Sequence, residues 1–264
     1  IDVVVFYKNN PQFKNISVKY HNIVAHLREL HKNEPEILKE IEAHKTRPVV
    51  EVIFDMGAAG NFHVFGNHWP SQGGGMSAAR QRFEISEYVM DRIEEIKKTS
   101  QKEPYVLVTG DFNTTDNTKN EGRYYAFQNF ENDRYLGDKK FSFRLHDLHD
   151  VYQSQVGKWY EKDDIPPGTY FYPHPTQGPV WNRLDRFWMS ENLVAPMTES
   201  VNAQIRADIK SYQIECGKHF TTSTNYFYTD GTAIEGTNIA RVPNEKHSSD
   251  HWAISFLLKL IGFK

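Results

Sequence analysis

The chain has little cysteine, no long hydrophobic run and almost no charge bias. One cysteine, Cys216, occurs in 264 residues. A lone thiol cannot form an intrachain disulfide, and a cysteine-based zinc site is excluded with it. The compartment stays open, because secreted and periplasmic proteins also do without disulfides. The most apolar stretch, residues 253–263, is too short to span a bilayer and carries Lys259, so the sequence predicts no transmembrane helix. Lys and Arg number 31 against 34 Asp and Glu, a net charge of −3 that excludes a strongly basic nucleic-acid coat protein. An enzyme with a local basic cleft remains compatible. Internal repeats, heptads and low-complexity tracts are also missing. Neither an initiator Met nor a basic-then-apolar leader opens the chain, which starts inside an apolar, β-branched run at residues 3–7. The sequence therefore predicts further residues upstream of Ile1.

What is present is globular: 39% apolar and 25% charged residues, with 14% aromatics. The length fits one domain over residues 1–264, expected to be incomplete at its N-terminal side. Apolar spacing predicts helical turns within residues 21–45, with Pro35 in the first turn of a second helix. His21, His26 and His31 recur every five residues, which scatters them around a helix and predicts surface positions. Residues 49–54 and 62–67 read as strands joined at Gly57-Ala58-Ala59-Gly60. A helix is expected from an N-cap at Ser77 to about residue 98, then a buried strand at 105–109. Residues 124–130 fit a short helix; 184–189, 201–208 and 253–258 fit strands. Long loops are expected around 166–168 and 221–236. Strands alternating with helices early and strands with long loops late predict an α/β sandwich.

Four segments end an apolar strand in acidic, amide or imidazole residues. They are His63-Val64-Phe65-Gly66-Asn67-His68-Trp69-Pro70-Ser71, Val106-Leu107-Val108-Thr109-Gly110-Asp111-Phe112-Asn113, Arg183-Leu184-Asp185-Arg186-Phe187-Trp188-Met189-Ser190 and Ser248-Ser249-Asp250-His251-Trp252-Ala253-Ile254. Each alone reads as a turn, a cap or a packed aromatic. Together they offer carboxylates for a hard divalent cation and imidazoles for contact with phosphate oxygens.

With these motifs in this order the chain resembles the endonuclease/exonuclease/phosphatase superfamily, most closely its bacterial, often secreted members. The resemblance covers most of the chain and implies a deoxyribonuclease-I-like, four-layer α/β sandwich of two facing mixed sheets flanked by helices. It implies a divalent-metal-dependent phosphoesterase that hydrolyses a phosphodiester or phosphomonoester by attack of water. The cofactor would be Mg²⁺, with Mn²⁺ or Ca²⁺ as alternatives. Residue by residue, His68 would contact the scissile phosphate and Asp111 would position or deprotonate the water, with a share in metal binding. Asn113 would hold a phosphate oxygen or that water. Asp185 would orient His251, His251 would stabilise charge on a phosphoryl oxygen, and Asp250 would lie at the metal. The family's first-strand Asn and metal-binding Glu have no counterpart here. Glu51 lies in what reads as a core strand, so the Glu position stays unassigned, and an upstream or separate N-terminal segment is expected to complete the domain. A secreted or periplasmic location follows from the resemblance; composition fits the cytoplasm equally.

The substrate is open between nucleic acid, a small phosphate ester and a lipid headgroup. A non-catalytic binding protein on the same scaffold is the alternative, and a strand-end Glu upstream would discriminate against it. Other clusters read as structural: His146-Asp147-Leu148-His149-Asp150 as a partly exposed edge, Gly73-Gly74-Gly75 as a flexible turn, Arg80 and Arg82 as solvated helix residues. Trp69 and Trp252 fit either core packing or stacking on a base or sugar.

Overall fold

A computed structural model describes residues 3, 5, 11–44, 46–115, 122–131, 141–157, 168–174, 178–195, 204–214, 221–225, 239–243 and 254–261. The strands are β1 (Asn15–His21), β2 (Val49–Asp55), β3 (Asn61–His68), β4 (Tyr105–Asp111), β5 (Leu145–Asp147), β6 (Tyr170–His174), β7 (Gly178–Asn182), β8 (Asp185–Ser190), β9 (Gln204–Ile214), β10 (Thr221–Asn225), β11 (Ile239–Pro243) and β12 (Ile254–Ile261). The helices are α1 (Ile23–Leu30), α2 (Pro35–Ala43), α3 (Gly75–Thr99), α4 (Phe127–Glu131), α5 (Leu148–Gln155) and α6 (Glu191–Val194).

Six strands form one mixed sheet in the order β1-β2-β3-β4-β8-β5. Only β3 and β4 run parallel, and the connection between them contains α3. That is the long crossover a parallel pair requires. Both faces of the sheet are covered, so its central strands read as nearly continuous apolar runs. In β4, Val106 and Val108 meet the helices, whereas Tyr105 and Leu107 meet the opposite layer. The helix side is closed by Ile23 and Leu27 of α1, Ile41 of α2 and Ile85, Val89, Ile93 and Ile96 of α3. Each of these apolar side chains stabilises the fold by roughly 1.5–3 kcal/mol on burial. Truncating Ile93, fully buried, to Ala would cost about 2–5 kcal/mol. On the other face β9 and β12 pair as a second sheet, contributing Ile205, Ile209, Tyr212 and Ile214 to a second core. The α/β class, with a mixed sheet, a second packed sheet and flanking helices, is thus as expected, and α5 and α6 also pack on β9 of the second sheet. No described helix is long and apolar enough to cross a membrane.

Several local expectations need correction. α3 starts at Gly75, ahead of Ser77, whose hydroxyl instead bonds His44 Nε2 at 3.2 Å. Gly74 makes this entry possible: a Cβ there would lie 2.3 Å from the His44 ring. His21 and His31 are not surface residues, with side chains only 10% and 11% exposed, and His26 packs on Tyr88 at 4.6 Å. A five-residue spacing scatters side chains only within one helix, and these three lie on a strand, on a helix and beyond its end. Arg82 is buried and donates to the Pro70 carbonyl at 3.0 Å, and Arg80 pairs with Glu40. Asp147 and His149 are buried, because Asp147 ends β5, caps α5 and pairs with Arg186 at 2.6 Å. Part of the loop expected at 221–236 is strand: β10 pairs with β11. Of the strand expected at residues 3–7, only Val3 and Val5 are described; they pack in the second core.

Candidate active site at one end of the mixed sheet

His68 is the register partner of Asp111 across β3 and β4, and Asp111 is the partner of Asp185 across β4 and β8. Partners share a face, so the three side chains form a row across adjacent strands about 4.8 Å apart. The alternation of β4 puts this row on the face that carries the second sheet. His68 Nε2 lies 3.6 Å from Asp111 Oδ2, with side chains 24% and 16% exposed. The row is therefore reachable from solvent at the place where the strands end.

The residues between these positions turn the other way and hold the row in place. Asn67 donates to the Phe65 carbonyl at 2.9 Å, and its Oδ1 accepts the Trp69 indole N–H at 3.0 Å. Trp69 is 1% exposed and packs edge-on to Phe112 at 4.7 Å, which settles its role as core packing. The Trp69 amide donates to the Asp111 carbonyl at 2.9 Å. Gly110 sits at φ 132°, and a Cβ there would fall 1.9 Å from the Asn67 carbonyl oxygen, so only glycine lets the two strand ends approach.

Asn113 fixes the orientation of Asp111. Its backbone N–H donates to Oδ1 at 2.9 Å and its side-chain amide to Oδ2 at 3.0 Å. The same NH₂ donates to the Trp69 carbonyl at 3.1 Å. Both partners are acceptors, which settles which way the amide points. Its two protons are spent, so Asn113 holds the carboxylate and has no side-chain donor left for a phosphate oxygen. It does this at φ 49°, a conformation that Asn tolerates better than most residues.

Thr169, which the sequence reading passed over, is fully buried beneath Asp185. Its hydroxyl accepts the Leu184 and Asp185 amides, both at 3.0 Å, and its own amide donates to the Asn182 carbonyl at 2.9 Å. A threonine beside a proline-rich stretch carries no sequence signal for that role. Arg186 follows Asp185 but faces the aromatic cluster, 4.6 Å over the Phe127 ring, with its guanidinium on Asp147. Asp250, His251 and Trp252 lie outside the described residues.

A hard divalent cation takes carboxylate oxygens, and Asp111 and Asp185 bring two carboxylates to facing positions on neighbouring strands. Like charges placed so are destabilising without a cation or donors between them. Among the described residues no group of three His, Cys, Asp or Glu side chains is close enough to hold an ion alone. The row thus fits part of a metal site. Glu51 does not supply the unassigned Glu. It is 0% exposed, lies on the helix face, and accepts from His21, His63 and Arg92.

No protein-family model matches the chain, and no curated protein does. Among solved structures, it is similar to an endonuclease/exonuclease/phosphatase family protein from Bacteroides thetaiotaomicron, with 18% identity and a TM-score of 0.36, over 82% of this chain and 56% of that one. A mannosyl-6-phosphatase from the same organism gives 18% identity and a TM-score of 0.37, over 81% and 58%. A humanized TDP2 from D. rerio gives 12% identity and a TM-score of 0.41, over 92% and 66%. The chain therefore spans less than two thirds of the length of each of these structures.

Proposed function

We propose that the chain is a metal-dependent phosphoric ester hydrolase whose chemistry takes place on the His68, Asp111 and Asp185 row. The observation that carries this reading is the register itself, which sets an imidazole and two carboxylates side by side at a solvent-reachable strand end. Phosphate esters are anionic and repel hydroxide, so their hydrolysis needs a group that takes a proton from water and donors for the phosphoryl oxygens. Asp111, locked by Asn113, is placed to accept the proton of an attacking water. The water oxygen bonds to phosphorus, the bond from phosphorus to the ester oxygen breaks, and the released alkoxide takes its proton from solvent. His68 donates to a non-bridging oxygen. Asp111 and Asp185, with Asp250, would hold a divalent cation, Mg²⁺ in the first instance, which when bound offsets negative charge on the phosphoryl group.

The test is a substrate panel of a phosphodiester, sugar phosphates, inositol phosphates and single- and double-stranded DNA, each with Mg²⁺ or with excess chelator. Hydrolysis of at least one class that requires the cation is expected. Ligand binding without turnover across the panel would favour the non-catalytic alternative.

A further inference from the structure

The opposite end of β3 carries a second cluster that the proposed hydrolysis does not use. His63, 4% exposed, donates from Nδ1 to Glu51 Oε1 at 2.8 Å. Its other nitrogen, Nε2, is buried and has no hydrogen-bond partner among the described residues. An unmet imidazole nitrogen in an interior is unfavourable and marks a place where something can bind. His63 lines a pocket of about 430 Å³ together with Lys19, Asn61, Arg92, Thr99 and Lys102. Three of these are cationic, and no acidic side chain is among the described lining residues. The pocket at the other sheet edge is mixed in sign, lined by Glu131, Asp147 and Asp150 together with Arg144 and His146.

The donors that remain are of a particular kind. Arg92 commits three of its five N–H groups to carboxylates, to Glu51 at 3.0 and 3.4 Å and to Glu95 at 3.2 Å. The Lys102 ammonium donates once, to the Ala58 carbonyl, and keeps two protons. The Thr99 hydroxyl covers the Glu95 and Ile96 carbonyls at the end of α3, which would otherwise repel an anion. A planar carboxylate is best matched by a free guanidinium fork, whereas separate ammonium and imidazole donors suit a tetrahedral oxyanion.

We propose that this pocket binds a small tetrahedral oxyanion of the phosphate class, and that His63 takes up a proton at Nε2 on binding. With Nδ1–H held by Glu51, Nε2 of the neutral ring is an acceptor; protonation makes it a donor to the anion. The charged and titratable groups around His63 are Glu51 from β2, which His21 from β1 and Arg92 from α3 also bond, Tyr88 on His21, Glu95 on Arg92, and Lys19 and Lys102 along the pocket. Val106, opposite on β4, brings no charge. Glu51 compensates the new imidazolium, and the lysines and Arg92 compensate the anion.

Calorimetric titration of the full chain in chelator, in two buffers of different ionisation heat, tests this. Sulfate is the first probe, because it stays a dianion between about pH 6 and about pH 8, where histidine titrates. Binding is expected to take up protons and to weaken as pH rises. His63→Gln should abolish the uptake, while His21→Gln should leave it. Lys19→Glu, on an exposed position, should weaken binding by about 10-fold or more. His68→Gln should not change it, which separates this pocket from the candidate active site. Inorganic phosphate against glycerol phosphate then decides whether the occupant is the free ion or a monoester. No sulfate binding, binding indifferent to Lys19→Glu, or binding without proton uptake would overturn the proposal.

Discussion

Two histidines on one strand, five residues apart, have opposite surroundings. His68 ends β3 at the solvent, in a row with two carboxylates. His63 lies near the start of β3, buried against Glu51. The carboxylates differ in the same sense. Glu51 accepts four hydrogen bonds, from His21, His63 and twice from Arg92. Burial pushes its pKa up, but these donors outweigh it and hold the carboxyl far below the usual range. Asp111 accepts two hydrogen bonds from Asn113, lies 3.6 Å from His68 and stays partly exposed. A carboxylate saturated by fixed donors holds elements together, here the β1-β2-β3 edge and α3. One oriented by a neighbour while partly exposed is placed for chemistry.

The largest effect should come from breaking the saturated end. Glu51→Gln takes the shared anion from two imidazoles and leaves the Arg92 guanidinium only Glu95, and removing one partner of a buried ionic cluster costs about 3–5 kcal/mol. Urea denaturation at neutral pH would measure it. Because the folded Glu51 pKa is lowered, its stabilisation is complete above the ordinary carboxylate range and is lost as pH falls towards the folded value. The variant should therefore lose part of the wild-type stability decline in acid. An unchanged acid profile would show that Glu51 is not a fixed anion.

At the open end, His68→Gln should reduce turnover by roughly 10²–10³-fold, the usual effect of removing one donor to a charged transition state. Its denaturation midpoint should stay near wild type, in contrast to Glu51→Gln. Asn113→Gly keeps the backbone conformation and removes the amide that holds Asp111. A hydrogen bond to a charged group contributes about 1.5–3 kcal/mol, so kcat should fall by about 10–100-fold with KM little changed. A rise in KM alone would return Asn113 to substrate contact. The smallest effect is expected for an exposed pair. Arg28 and Glu42 lie 3.2 Å apart with both side chains more than half exposed, and Arg28→Ala should cost under about 1 kcal/mol.

Much of this division can be read in the chain, though unevenly. The apolar runs before Asn67 and Gly110 mark buried parallel strands, and Asp111 and Asn113 stand out because polar residues end such runs. Pro35 locates the start of α2 for the same reason that it could not sit inside a helix. The His21, Glu51, His63 and Arg92 cluster is invisible, because its members come from three strands and a helix and each has an ordinary local role. Glu51 in particular sits in a valine-rich strand where only the tertiary fold supplies its donors. Ser77 misled because a capping residue beside a glycine run reads as a helix start, whereas α3 enters through Gly75 and Ser77 bonds His44. Thr169 was missed because its acceptor role depends on β8 lying beside it.

The most direct test of the account is metal-dependent hydrolysis by wild type and Asp111→Asn under identical conditions. The account predicts turnover that disappears in excess chelator and returns with Mg²⁺, and a fall of about 10²–10⁴-fold in Asp111→Asn with the fold intact. Full activity in chelator, or wild-type turnover in Asp111→Asn, would contradict it.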